Sequence, residues 1–180
     1  MNRVVLVHGM KKGPGDVWYP FIKREVEGRG MVCEVPDMGQ SQNPLLNEWL
    51  TIIDAQRPDD KTVLVGHSRG GMAILRWLET RDVHVGRVIL VAANSATIQD
   101  EANGDFYCGP YNFEKITRNC DDFVLMYSKD DKWIPYEAGL QNQAGLNGKL
   151  LTFEEKGHFG TQGDGSVLLE FPELLEEIMR

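Results

Sequence analysis

Ser68 stands between two glycines in the stretch VGHSRGG, residues 65–71, which reads G-x-S-x-G. A serine hydroxyl is a weak nucleophile by itself. Acyl-transfer chemistry at Ser68 therefore requires a base within hydrogen-bond reach and donors aimed at the oxyanion that forms. Where a serine of this pattern turns a strand into a helix, the acid follows it along the chain and the histidine comes last. Four histidines are present. His8 and His67 precede the serine, and His84 lies in RDVHVGR, a connection remote from the strand ends that would hold it. That leaves His158, in the glycine-flanked loop EKGHFG after the last strand, as the expected base. The acid would accept a hydrogen bond from this histidine and fix its tautomer. Asp130 and Asp131, in SKDDKWIP, both stand in the required place, and because aspartates also favour turns the residues leave the choice open.

The backbone N–H of Arg69, next after the serine and at the start of a helix whose amides favour negative charge, is the expected first oxyanion donor. A second should come from the loop after an earlier strand. The segment His8-Gly9-Met10 follows the first strand directly, so the N–H of Met10 is the expected donor, with Gly9 and Lys11 as neighbouring alternatives. His8 reads as an orienting residue at the strand end rather than as the base. Trp18, Phe106, Tyr107 and Trp133 are the expected walls of a substrate pocket.

These residues need a scaffold that gathers strand ends along one edge. Short β-branched runs at 4–7, 31–35, 62–65, 88–91, 123–127 and 150–153 predict six strands. Between them, apolar residues at helical spacing predict helices over 17–27, 44–55, 69–79 and 136–146, with a last one over 173–179 and Pro172 at its start. Strict alternation of short apolar strands with helices implies an α/β fold whose parallel sheet is buried on both faces. One stretch, 94–121, breaks the rhythm with turn residues, a group of aromatics and one short helix at 113–118. It leaves the carboxyl end of the fourth strand, the edge at which open α/β sheets bind ligands.

Composition narrows the partners. A chain of 180 residues with 42% hydrophobic and 26% charged residues reads as one globular domain over 1–180. A formal charge of −8 without a basic cluster argues against nucleic-acid binding. The N-terminal apolar run is too short for a signal core or a membrane span, and three widely spaced cysteines suggest neither a disulfide framework nor a metal knuckle. The expectation is a cytoplasmic protein with no metal, no organic cofactor and no membrane partner, acting on a small-molecule acyl substrate.

The segments VHG, VWYPFIKREVE, CEVPDM, KTVLVGHSRGGMAILRWLET, RVILVAA, GPYNFEKITRNC, SKDDKWIP and KGHF, in this order and spread over nearly the whole chain, resemble the small serine hydrolases of the retinoblastoma-binding protein 9 family. That family lies within the α/β-hydrolase superfamily. The resemblance implies a compact three-layer hydrolase with a six-stranded parallel sheet in the order 2-1-3-4-5-6 and no cap domain. It also implies that the acid stands four residues before the proline of D-x-x-I-P, which selects Asp131 over Asp130. The implied activity is cleavage of small carboxylic esters or peptide-like amides through an acyl-enzyme on a Ser68, His158, Asp131 triad. A thioesterase or acyltransferase on the same residues, or a protein-binding module that keeps the hydrolase shape, are the alternatives. The loop GMKKGPGDVWY departs from the glycine-richer loop of the family's namesake. The L-x-C-x-E motif for the retinoblastoma pocket is absent, since Cys33 sits in GMVCEVP, and that partner is not carried over.

Overall fold

A computed structural model of the chain describes residues 1–39, 43–97, 101–160 and 166–180, with side chains left out of account at 101–103. Its six strands are β1 (Arg3–Val7), β2 (Val32–Glu34), β3 (Thr62–His67), β4 (Arg87–Val91), β5 (Phe123–Ser128) and β6 (Lys149–Phe153). They form one sheet in the order β2-β1-β3-β4-β5-β6, and every neighbouring pair is parallel. The α-helices are α1 (Tyr19–Glu27), α2 (Leu46–Ala55), α3 (Arg69–Thr80), α4 (Phe113–Arg118), α5 (Tyr136–Leu146) and α6 (Pro172–Met179).

The period-two alternation of the strands sorts the core into two halves. Val4 and Leu6 of β1 and Val63 and Val65 of β3 pack with Ile22, Val26, Leu174 and Ile178 of α1 and α6 on one face. Val5, Val7 and Leu64 point the other way, into Trp49, Leu75, Trp77, Ile116 and Ala138 from α2, α3, α4 and α5. The result is a three-layer α/β-hydrolase fold, and among the described residues no cap domain covers the strand ends. Among the same residues, no helix is long and apolar enough to cross a membrane.

Two helices begin later than their hydrophobic patterns suggest, for backbone reasons. Val17 lies at φ 46°, a left-handed conformation that no α-helix contains, so α1 begins at Tyr19. Leu45 is extended, and the N–H of Leu46 is accepted by Asp105 Oδ2 at 2.8 Å, so α2 starts two residues beyond Pro44. The excursion 94–121 holds the expected α4 and an additional 3-10 segment, Glu101–Phe106, kinked at Gly104. Residues 98–100 of it lie outside the described residues. Its later part is fastened to α3 through Arg76, whose guanidinium donates to the carbonyls of Phe106 and Gly109 and lies over the Tyr111 ring.

Candidate active site

Ser68 occupies the turn between β3 and α3 at φ 54°, ψ −119°, a strained conformation for a residue with a side chain. The two motif glycines make the turn possible by allowing close approach. A Cβ on Gly70 would lie 2.1 Å from the carbonyl oxygen of Val7, and one on Gly66 would lie 2.5 Å from Gly71 Cα. The amino end of α3 is thus packed directly against the end of β1. The Ser68 N–H donates to Val91 O at 2.8 Å, which ties the turn to β4 as well.

Strand ends and the loops after them bring the other two expected residues to this serine. Ser68 Oγ lies 2.9 Å from His158 Nε2, and His158 Nδ1 lies 2.8 Å from Asp131 Oδ2. A carboxylate only accepts, so Nδ1 carries the hydrogen and Nε2 is the acceptor that faces the serine hydroxyl when the ring is neutral. The Asp131 side chain is only 1% exposed. Its other oxygen accepts the N–H groups of Trp133 and Ile134 at 2.8 and 3.1 Å, so the turn before α5 orients the carboxylate.

Asp130 serves a different purpose. Its Oδ1 accepts the Ser128 hydroxyl at 2.5 Å and the Gly157 N–H at 2.8 Å. The hydrogen bond from Ser128, helped by that from Gly157, holds its carboxyl below the ordinary carboxylate range. Ser128 Oγ in turn accepts the Lys156 N–H at 2.9 Å. Asp130 therefore clamps the loop that carries His158, while Asp131 meets the imidazole itself.

A second buried network, which the order of the histidines did not suggest, runs beneath the site. His67 Nε2 lies 2.8 Å from the carbonyl oxygen of His158, His67 Nδ1 lies 2.6 Å from Tyr19 Oη, and the Gly9 N–H donates to Tyr19 Oη at 3.2 Å. A carbonyl can only accept, so Nε2 carries the hydrogen and Nδ1 receives the tyrosine O–H. Burial pushes His67 down to about 3, with the neighbouring His158 acting in the same direction, and burial pushes the Tyr19 hydroxyl up. Both stay neutral at physiological pH. Period-two alternation was the available signal, since it puts His67 on the same face as Val63 and Val65, under the His158 loop.

This network corrects one of the expected alternatives. The Gly9 N–H is committed to Tyr19 and so is not directed at the serine. Met10 lines the cavity over Ser68, and Arg69 is the first residue of α3 beside it. His8 has the anchoring place expected of it. It is fully buried, with Nδ1 2.9 Å from Gly9 O and Nε2 accepting the Met38 N–H at 2.9 Å.

A cavity of about 390 Å³ opens over the serine and His158, with Met10, Met72, Trp133 and Ile134 supplying apolar walls. Of the four aromatic residues expected there, Trp133 lines it and is 77% exposed. Trp18 does not line it. It is fully buried between Tyr19, His67 and Phe171, with its indole N–H donated to Phe159 O at 2.6 Å. Phe106 is also a core residue, edge-on to Trp49 and beneath the Arg69 guanidinium, and Tyr107 is half-buried outside the lining. Met72 went unforeseen, although it lies one helical turn after Ser68 and its N–H reaches back to Ser68 O at 3.4 Å.

The geometry has relatives. A family model described as serine hydrolase matches residues 4–174 of the chain. The serine hydrolase RBBP9 of Rattus norvegicus is 31% identical over 167 residues, which cover 88% of this chain and 87% of that protein. The putative hydrolase YdeN of Bacillus subtilis is 25% identical over 163 residues, covering 88% and 86% of the two chains. The solved structure of the B. subtilis ydeN gene product superposes with a TM-score of 0.88 at 24% identity, covering 99% of this chain and 97% of that one. That last likeness speaks for the fold.

Proposed function

The chain belongs to the serine hydrolase family, and from that premise we propose that it cleaves small carboxylic esters through an acyl-enzyme on Ser68, with His158 and Asp131 as its partners. The observation that supports this reading most is the continuous line of hydrogen bonds from Ser68 Oγ through both ring nitrogens of His158 to Asp131. In the first half-reaction His158 Nε2 takes the hydroxyl proton as Oγ bonds to the ester carbonyl carbon. The carbonyl electron pair moves to oxygen, and the N–H groups of Arg69 and Met10 receive that oxyanion. A single donor of this kind contributes about a hundred- to a thousandfold in rate. When the pair returns, the C–O bond to the alcohol breaks and His158 gives its proton to the leaving oxygen. Water then enters, loses a proton to the same nitrogen and releases the acid by the same route. Asp131 remains a carboxylate throughout; it keeps Nδ1 protonated and stabilises the imidazolium.

Exposure to a fluorophosphonate, followed by peptide mass spectrometry, tests the assignment. Ser68 is expected to carry the adduct in the wild type, and Ser68→Ala is expected to remain unlabelled and inactive on p-nitrophenyl esters. A folded wild-type protein that takes no label overturns it. Acyl thioesters and alcohol acceptors assayed alongside distinguish an esterase from a thioesterase or an acyltransferase on the same residues.

A further inference from the structure

We propose that the substrate carries an anionic group, a carboxylate or a phosphate, which is received by Lys11 and Lys12 at the mouth of the cavity. The inference deepens the reading of Ser68 as an ester-cleaving nucleophile and rests on it. Lys11 and Lys12 line the same cavity as Ser68 and His158, and among the described residues no carboxylate lines it. Asp131 is turned inward on His158 and on the turn behind it.

The chain has a formal charge of −8, so its overall field repels anions, and a locally cationic mouth runs against that field. Four of the nine lysines are engaged by carboxylates, Lys23 by Glu27, Lys129 by Glu154, Lys149 by Glu177 and Lys156 by Glu173, and of the other five only Lys11 and Lys12 line the cavity. Neither Lys11 nor Lys12 has such a partner among the described residues. The nearest acid along the chain, Asp16, accepts the Gly13 N–H at 2.7 Å and forms no ion pair with either lysine. Lys12 is half-buried, so its stem is partly packed at the cavity and its ammonium is within reach of a bound anion.

The lysines are also held in place. Lys11 sits in the left-handed region at φ 61°, the Lys12 N–H donates to Gly9 O at 3.3 Å, and the Asp16 N–H donates to Gly13 O at 3.1 Å. The same cavity is lined by Met10, Met72, Trp133 and Ile134. Such a cavity suits an amphiphilic ester, with an apolar stretch against these side chains and an anion at the lysines.

Two matched pairs of esters test the proposal from both sides of the scissile bond. The first is 4-nitrophenyl hexanoate against mono-4-nitrophenyl adipate, with the charge on the acyl group. The second is phenyl hexanoate against 4-carboxyphenyl hexanoate, with the charge on the leaving group. In at least one pair the anionic ester should have a kcat/KM about five- to tenfold higher once intrinsic reactivity is divided out, as two partly exposed charge contacts supply. That ratio should fall as salt is raised. It should drop toward one in Lys11→Met/Lys12→Met and invert in Lys11→Glu/Lys12→Glu. Ratios near one in both pairs, with the neutral esters hydrolysed and the hydrolysis lost in Ser68→Ala, overturn the charge inference and leave the esterase reading standing. Calorimetric binding of 6-phenylhexanoate and 6-phenylhexanol to Ser68→Ala needs no turnover. Tighter binding of the carboxylate that disappears in the Lys→Glu pair supports the lysine site even where no ester is cleaved, which would overturn the esterase reading alone. Equal binding of the acid and the alcohol overturns the lysine site.

Discussion

His67 Nε2 donates to the backbone carbonyl of His158 across 2.8 Å, so the residue immediately before the elbow serine holds the loop whose imidazole faces that serine. Gly157 and Phe159, on either side, are held as well, by Asp130 and by the Trp18 indole. Removing the His67 contact should leave the base present and poorly aimed. His67→Ala is expected to lower kcat by about ten- to a hundredfold with a much smaller change in KM, the pattern of lost alignment rather than lost binding. Tyr19→Phe keeps the ring and removes the hydroxyl between His67 and Gly9, and should give a weaker version of the same pattern. Steady-state kinetics on one neutral ester decide it; a change confined to KM would count against alignment.

The same histidine makes stability depend on pH. Folded, His67 titrates at about 3, against an ordinary value of 6.5. The unfolded chain therefore takes up a proton that the folded chain refuses over that interval. Stability from this group is complete above the ordinary value and is lost as pH falls toward the folded one. Between pH of about 7.5 and 5.5, His67 alone should account for a loss of about 1.4 kcal/mol. Urea unfolding of the wild type and of His67→Gln at the two pH values measures it, the variant being expected to lose less. Equal losses would contradict the burial argument.

The neighbouring aspartates should separate cleanly. Asp131→Asn places an amide against His158 Nδ1 and should reduce kcat by about a thousand- to ten-thousandfold with little change in stability. Asp130→Asn should cost less than about tenfold in kcat, since it touches the loop and not the ring. Its larger effect is on thermal unfolding at neutral pH. A carboxyl held below its ordinary range contributes stability above that range and loses it only in acid. Kinetics and melting curves of the two variants, read together, test the division of labour.

Gly70→Ala should be severely destabilising. Its Cβ would need the space now filled by the Val7 and His8 carbonyls, at 2.1 and 2.7 Å, and those belong to the end of β1 and the residue after it. The expected loss is about 3 kcal/mol or more. Gly15→Ala, where no heavy atom lies within 4 Å of the added Cβ, is the control and should unfold close to the wild type in urea.

Much of the scaffold was legible because its signals are local. Alternation of apolar strands with amphipathic segments placed all six strands, and α4 and α5 coincide with their expected bounds. Ser68 and His158 were readable from order along the chain, whereas the choice of Asp131 came from the resemblance, because two adjacent aspartates have the same chemistry. What failed was the direction of aromatic side chains. Trp18 and Phe106 look like pocket walls as residue types, but which way an aromatic points is set by contacts distant in sequence, such as the bond from Trp18 to Phe159. The network through His67 was hidden for the same reason, since its partners lie at 9, 19 and 158.

Trp133 gives this architecture an optical consequence. The chain has four tryptophans; Trp18, Trp49 and Trp77 are shielded from solvent, and Trp133 alone is open, at the cavity that contains Ser68. Its emission should lie to the red of the three shielded indoles, which makes it a built-in reporter beside the nucleophile. Acylation or ligand capture there should be visible as a spectral change in unlabelled protein, on the timescale of a stopped-flow trace.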